Sequence, residues 1–318
     1  MKKFIAVILA AVMLLSLAAC TVKDNTVYTV GICQYSEHES LHLATQGFME
    51  ALVKELGTEN VIFDIQNAFD HPEICTDLIN RFVSRNVDLI MANATPALQE
   101  AARATVDIPI IGTSVTDYAT ALEIENFSGT AGGNITGTSD MVSPAEQARV
   151  ILEFLPEAKT VAMLCCTSEE NSIYQISELK KELEAKGITC VDAKVTDTTD
   201  VADAVRKAIK TADALYIPAD NKAASVAEVI DGICRPAGIP VFAADEGTYS
   251  ACGVATLSAS YYHLGYKTGE MAADILRGKA DVSTMPIVYA EELALKYNKE
   301  LCDKLGITVP EAYQKAEG

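Results

Sequence analysis

Short apolar runs alternate along the chain with longer stretches in which apolar residues recur at helical spacing. The short runs predict buried strands, and the longer stretches predict amphipathic helices. Such alternation is typical of a mostly parallel sheet with helices on both faces. The predicted strands are 27–33, 61–65, 87–92, 108–112, 160–165, 190–195, 214–217, 240–244, 253–258 and 286–290. The predicted helices are 42–56, 72–84, 95–105, 143–155, 171–186, 200–210, 223–235, 262–276 and 296–305.

The alternation occurs twice, and the segment 108–140 separates the two runs. Its glycine-rich part, 129–137, favours a flexible hinge. We therefore predict an α/β fold of two doubly wound parallel-sheet lobes joined by a hinge, with a ligand cleft at the carboxyl ends of the strands. The predicted first lobe is 26–134 plus 253–281, and the second is 135–252 plus 282–318.

The N-terminus has the pattern of an export signal. Two lysines precede an apolar stretch, 4–17, which ends in the small-residue sequence LAAC at Cys20. This resembles a bacterial lipoprotein signal, which predicts cleavage after residue 19 and lipidation of Cys20. Residues 20–25 would then be a tether, and the protein would be anchored outside the cytoplasm. An ordinary signal peptide or a lone membrane helix remains the alternative.

Charge and cysteine content exclude two other classes. The 318-residue chain has a formal net charge of −19, so phosphate would repel it and we expect no nucleic-acid partner. The nine cysteines are irregularly spaced and include no CxxC pair. This argues against a small disulfide framework or a zinc ribbon and favours reduced, buried thiols.

Several motifs occur in the order of one known family. They are the lipobox, GICQYSEH, NATP, VTD, GGNITGTSD, SEENS, PADN, IPVFAADEG and YYHLGYKTGEMAADILRGK. Together they resemble the substrate-binding lipoproteins of tryptophan/tyrosine-type ABC uptake systems. The resemblance covers nearly the whole mature chain, and GGNITG with SEENS is its most specific part.

The resemblance implies a type I periplasmic-binding fold and a receptor without enzymatic activity, cofactor or metal. It also implies a monomer that binds an aromatic amino acid and works with an ABC permease and ATPase. Two places depart from the family pattern, and both lie where we expect the cleft rim. The family commonly has a proline after the EH of the first loop and an aspartate soon after, where this chain has EHESLH, which ends at His42. It also often has a proline after VTD, where this chain has Tyr118. The ligand could therefore differ.

An amino acid buried in a cleft needs acceptors for its ammonium group and donors for its carboxylate. The acidic candidates are Asp220 and Asp117, ranked first, followed by Asp140 and Asp245. The remaining candidates are hydroxyl, amide, imidazole or aromatic side chains near strand ends, namely Tyr35, His38, Thr95, Ser139, Asn171, Ser172 and Asn221. Any of these side chains could instead cap a helix or pack in the core.

Three alternatives remain open. The receptor could bind another small solute, such as a different amino acid or a nucleoside, or it could be a sensory ligand-binding module. The run from His38 to His42 also spells HExxH, the signature of zinc hydrolases. In those enzymes the motif lies within a helix, whereas here it directly follows a predicted strand.

Overall fold

The computed structural model describes residues 26–291 and 293–314 and contains two six-stranded sheets. The strands are β1 (Tyr28–Gln34), β2 (Val61–Asn67), β3 (Leu89–Asn93), β4 (Ile110–Val115), β5 (Ile135–Ser139), β6 (Thr160–Cys166), β7 (Thr189–Val195), β8 (Ala214–Ile217), β9 (Val241–Ala243), β10 (Ala255–Ala259), β11 (Val288–Tyr289) and β12 (Leu293–Tyr297). The first sheet has the order β11-β5-β4-β3-β1-β2, and the second has the order β12-β10-β9-β8-β6-β7. The predicted α/β fold with two parallel-sheet lobes is confirmed.

The helices cover both faces of each sheet. They are α1 (Glu39–Leu56), α2 (Pro72–Ser84), α3 (Thr95–Ala104), α4 (Tyr118–Ala121), α5 (Pro144–Phe154), α6 (Glu170–Ala185), α7 (Thr198–Ala208), α8 (Asn221–Ser225), α9 (Ala227–Ala237), α10 (Glu246–Cys252), α11 (Tyr261–Leu276), α12 (Lys299–Leu305) and α13 (Glu311–Gln314). Buried apolar clusters lie on both faces of each sheet, which explains why its strands read as continuous apolar runs.

Within the described residues, the chain passes between the sheets three times: between β5 and α5, between β10 and α11, and between β11 and β12. We call the first sheet with α1–α4 and α11 the first lobe, and the second sheet with the remaining helices the second lobe. Relative to the predicted boundaries, β5 and β11 lie in the first lobe and β10 lies in the second. Strand pairing decides this, because β5 pairs with β4, β11 with β5, and β10 with β9.

The glycine-rich segment is a loop of the first lobe and not a crossing segment, so this part of the prediction is wrong. Gly129, Gly132 and Gly133 precede β5 and have positive φ angles. Gly137 lies within β5, where a Cβ atom would come within 2.1 Å of the carbonyl oxygen of Gly112. Glycine is required there because two backbones approach closely, which the sequence pattern alone does not distinguish from flexibility.

The C-terminal part also differs from the prediction. The predicted helix 296–305 is shorter, because residues 293–297 form β12, which pairs antiparallel with β10 at the edge of the second sheet. The mixed spacing of apolar residues there fits either a strand or the start of a helix. Among residues 26–291 and 293–314, no helix is both long and apolar enough to cross a membrane.

Candidate functional site

A closed cleft separates the two lobes, and its walls come mainly from residues at the carboxyl ends of strands. The free space in it is about 10 Å³, about the room of one water molecule. Its lining residues are His38, Leu41, Ser114, Thr116, Asp140, Asn171, Ala219, Asp220, Asn221, Ala224, Asp245 and Tyr261. This is the place where open parallel sheets bind ligands.

Five buried polar atoms in the described part of the cleft have no hydrogen-bond partner. The first lobe contributes two, His38 Nδ1 and Ser114 Oγ, and Asp140 Oδ1 lies where the chain leaves that lobe. The second lobe contributes Asn171 Oδ1 and Asp245 Oδ2. Buried polar atoms are nearly always paired, because leaving one unpaired costs about 1–3 kcal/mol. Their convergence from both lobes indicates a polar ligand.

The first lobe presents Ser114 on unusual backbone. Its φ angle is +55°, and the pairing register between β4 and β5 shifts between Gly112 and Val115. A non-glycine residue with positive φ carries strain that surrounding structure must offset, and such residues cluster at ligand sites. The bulge turns the Ser114 hydroxyl into the cleft.

Hydrogen bonds between the lobes hold the cleft closed. His38 Nε2 lies 3.3 Å from Asn221 Oδ1 and is the donor in this contact, because an amide oxygen can only accept. Ser40 Oγ donates to Asp245 Oδ1 at 2.7 Å and accepts a hydrogen bond from the backbone N–H of Gly247 at 3.0 Å. The His38 contact joins the start of α1 to the start of α8, and the Ser40 contacts join it to the start of α10.

Asp140 and Asp245 are oriented by neighbours but keep one oxygen free. The Tyr261 hydroxyl donates to Asp140 Oδ2 at 2.7 Å. Asp245 Oδ1 accepts from Ser40 and from the backbone N–H of Thr248 at 2.9 Å. Burial raises the pKa of Asp140, because the charged carboxylate loses hydration. A cationic group beside it would offset that loss.

Asp220, ranked first from sequence, is fully occupied within its own lobe. Its carboxylate accepts hydrogen bonds from Ser172 Oγ at 2.7 Å, from Cys166 N at 2.9 Å and from Ala223 N at 2.9 Å. It therefore caps α8 and joins three loops. Asp117, also ranked first, is half-buried, caps α4 through Thr120 N at 2.7 Å and does not line the cleft.

Glu169, which is not among the residues predicted from the sequence, is buried beside Asp220. It accepts from Asn221 Nδ2 at 2.6 Å and from the backbone N–H groups of Asn221 and Lys222 at 3.2 and 3.1 Å. Burial, and then repulsion from Asp220, raises the pKa of Glu169 to about 8. Its neighbour Glu170 has the same side chain but faces solvent, so the motif could not tell them apart.

The other predicted residues support the walls without lining them. Tyr35 is buried and its hydroxyl donates to the carbonyl of Asp70 at 3.2 Å. Ser139 Oγ donates to the carbonyl of Thr116 at 2.7 Å. Thr95 is buried at the start of α3, and its hydroxyl has no partner among the described residues. Cys20 lies outside the described residues.

Of the two departures from the family pattern, the run EHESLH reaches the cleft through His38 and Leu41, although His42 itself does not line it, and Tyr118 does not line it either. Tyr118 is buried in the first lobe, where its ring covers Gly112 and Gly137 and its hydroxyl donates to the carbonyl of Thr138 at 3.1 Å. His42 is exposed and lies 3.0 Å from Glu37.

The HExxH run does not form a zinc site. Helix α1 begins at Glu39, and His38 precedes it on extended backbone, so His38 reaches the cleft while His42 reaches the surface.

Within the described residues, the side chains close enough to share a metal ion are Cys166, Glu169 and Asp220. The two carboxylates already accept several N–H donors, whose partial positive charge opposes a cation.

Comparison with known proteins agrees with this architecture. The family model described as "ABC transporter substrate binding protein" matches residues 29–317. A tyrosine-binding protein of Clostridioides difficile is 31% identical over 315 residues, covering 94% of this chain and 91% of that protein. An ABC domain from Streptococcus pneumonia, solved in complex with L-Trp, is 29% identical with a TM-score of 0.87, covering 92% of this chain and 98% of that one.

A third relative indicates which conformation the lobes adopt. A substrate-binding protein with adhesive properties from Clostridium difficile, solved ligand-free and open, is 35% identical over 90% of this chain and 97% of that one. Its TM-score is only 0.68 despite the higher identity. The present arrangement of lobes is therefore nearer to the complex with L-Trp than to the open form. By the extent of the family match and the 31% identity, this chain belongs to the ABC transporter substrate-binding protein family.

Proposed function

We propose that this chain is the receptor of an ABC importer and that it captures an aromatic α-amino acid, tyrosine or tryptophan, between its lobes. Proteins of this family bind small molecules outside the cytoplasm and work with the other components of a transporter. The names of two relatives, one tyrosine-binding and one in complex with L-Trp, support the ligand class. The observation that carries the proposal is the set of unpartnered polar atoms converging from both lobes.

The ammonium group would bind the free oxygens Asp140 Oδ1 and Asp245 Oδ2. Both carboxylates are held in place by other hydrogen bonds, so little further ordering is needed on binding. The carboxylate of the ligand would accept a hydrogen bond from Ser114 Oγ. The residues that line the described cleft include neither arginine nor lysine.

The ligand would enter by separation of the lobes. A cleft of about 10 Å³ is far smaller than an amino acid, so the three crossing segments must bend to admit it. A ligand that touches both lobes favours the closed form by its extra contacts there. We further propose that lipidation at Cys20 holds the receptor beside its permease and ATPase.

Calorimetric titration tests this function. The purified chain, unfolded and refolded to remove carried-over ligand, should bind L-tyrosine or L-tryptophan with micromolar or tighter affinity. If another amino acid or a nucleoside binds instead, the protein is still a solute receptor, but its ligand is not an aromatic amino acid. If none of these solutes binds, the proposed function is wrong.

Substitution of Asp140 tests the assignment of the ammonium site. Asp140→Asn should weaken binding at least about 10-fold, because hydrogen bonds to charged groups contribute about 1.5–3 kcal/mol. Asp117→Asn is the matched control, because Asp117 caps α4 away from the cleft. This variant should bind the ligand with the affinity of the native chain. Equal affinities for both variants would remove Asp140 from the site.

A further inference from the structure

Two cysteines that are 42 residues apart in sequence meet in the core of the first lobe. Cys33 lies on β1 and Cys75 lies in the first turns of α2, and their sulfur atoms are 3.6 Å apart. Both side chains are fully buried, and both residues are free cysteines. At this separation the sulfurs are in van der Waals contact, so no other atom lies between them.

The packing of α2 on β1 sets this contact. A Cβ atom on Gly31 would lie 2.6 Å from the ring of Phe82, so Gly31 faces α2. Cys33 is two residues further along the strand and points to the same face. Cys75 is seven residues before Phe82, about two helical turns away on the same side of α2. The pair is therefore fixed by two independent contacts between the same helix and strand.

We infer that Cys33 and Cys75 are a modification site, at which a small disulfide such as cystine oxidises them to a disulfide bond. One cysteine thiolate attacks the small disulfide and releases one small thiol, leaving a mixed disulfide. The second cysteine attacks the protein sulfur of that mixed disulfide and releases the other small thiol. The protein loses two electrons and two protons, and the oxidant is reduced to two thiols.

The start of α2 gives the oxidant its access. Residues 71–74 are exposed, whereas Cys75 directly beneath them is buried. Phe69 and Asp70 precede this turn with φ angles of +51° and +65°. Opening of this first turn would expose Cys75 without unfolding the sheet.

The bond would tie the segment that leads to the cleft residue His38 to the loop that precedes α2. Asp70 N donates to the carbonyl of Tyr35 at 2.9 Å, and Ala68 N donates to the carbonyl of Gln34 at 2.9 Å. These hydrogen bonds connect the segment that leads to His38 with the segment that leads into α2. A covalent link beneath them also closes a long loop of the unfolded chain, which stabilises the folded state.

Mass spectrometry tests the inference without any ligand. The native full chain is incubated with cystine, its remaining thiols are alkylated, and it is digested with trypsin. The two cysteines fall in adjacent peptides, 24–54 and 55–81, each of which contains one cysteine. We expect these peptides to be linked, and the link to disappear on reduction.

Matched variants and a thermal measurement complete the test. Cystine should raise the Tm of the native chain by several degrees, and dithiothreitol should reverse the rise. The rise should persist in Cys190→Ser, whose thiol is half-buried on β7, and should be absent in Cys33→Ser and Cys75→Ser.

If native protein gives no linked peptide, stops at a mixed disulfide, or forms the link only after unfolding, the inference is wrong. The direct peptide measurement on the unaltered chain holds even if a serine variant fails to fold.

Discussion

Three aspartates in the cleft have the same local sequence setting, since each follows a strand and precedes a helix. Asp220 gives both oxygens to hydrogen bonds within the second lobe. Asp140 and Asp245 each keep one oxygen unpartnered. The sequence could predict that acids would gather at this edge, because strand ends meet there. It could not predict which of these acids keep an oxygen free for a ligand. That depends on hydrogen-bond donors up to 205 residues away, as Ser40 is from Asp245.

Glu169 provides a pH-dependent prediction at the residue scale. Its pKa is raised to about 8 by burial and by Asp220, so the folded chain holds a proton that the unfolded chain releases above about pH 4.3. Stability should therefore fall as the pH rises from about 4.3 to about 8, and then level off.

The measurement is Tm against pH for the native chain and for Glu169→Gln. The amide cannot ionise, so the variant should show a flatter profile between pH 5 and 8. Because Glu169 and Asp220 titrate as a pair, part of the slope will remain. An identical slope in both proteins would contradict the role of Glu169.

At the scale of elements, α1 and α11 pack with their backbones unusually close. A Cβ atom on Gly265 would lie 1.9 Å from the carbonyl oxygen of Ala44, and one on Gly47 would lie 2.1 Å from that of Tyr262. The sequence predicted both helices from their apolar spacing. It did not predict that they pair across more than 200 residues, because small residues fit many environments.

Gly265→Ala should therefore destabilise the first lobe. The methyl group meets backbone that cannot rotate away, and overpacking of this kind costs about 1–3 kcal/mol. Gly232→Ala is the matched control, because Gly232 lies in α9 with no heavy atom within 4 Å of its Cβ position.

The control should be neutral or stabilising by up to about 1 kcal/mol, since alanine favours helix. Denaturant unfolding with far-UV circular dichroism measures both variants. If Gly265→Ala is as stable as the control, α1 and α11 can move apart without a loss in the free energy of unfolding, and the predicted destabilisation is wrong.

At the scale of the whole molecule, Ser40 joins the lobes at the ends of α1 and α10. Its hydroxyl donates to Asp245 and accepts from the backbone N–H of Gly247. A Cβ atom on Gly247 would lie 2.8 Å from the Ser40 hydroxyl oxygen. These contacts exist only when the lobes are together. They therefore contribute to the equilibrium between the open and closed forms.

Ser40→Ala should weaken ligand binding about 10-fold, because it leaves the backbone N–H of Gly247 without its partner in the closed form. In small-angle scattering, saturating L-tyrosine or L-tryptophan should decrease the radius of gyration of Ser40→Ala less than it decreases that of the native chain. Ser84→Ala, at an exposed hydroxyl of the first lobe, is the control. If Ser40→Ala binds and closes as the native chain does, these contacts have no part in closure.

The sequence by itself determined the class of fold, the two-lobe organisation, most strands and helices, and the edge of the sheets at which polar side chains gather. These features follow from local periodicity and from the rule that parallel strands end at one edge. Only the tertiary structure decided that β5 and β11 belong to the first lobe and β10 to the second, that Tyr118 covers Gly112, and that Cys33 meets Cys75. It also decided which cleft carboxylates keep a free oxygen. Each of these features depends on contacts between residues that are distant in sequence. The local spacing of apolar and polar residues does not reveal such contacts.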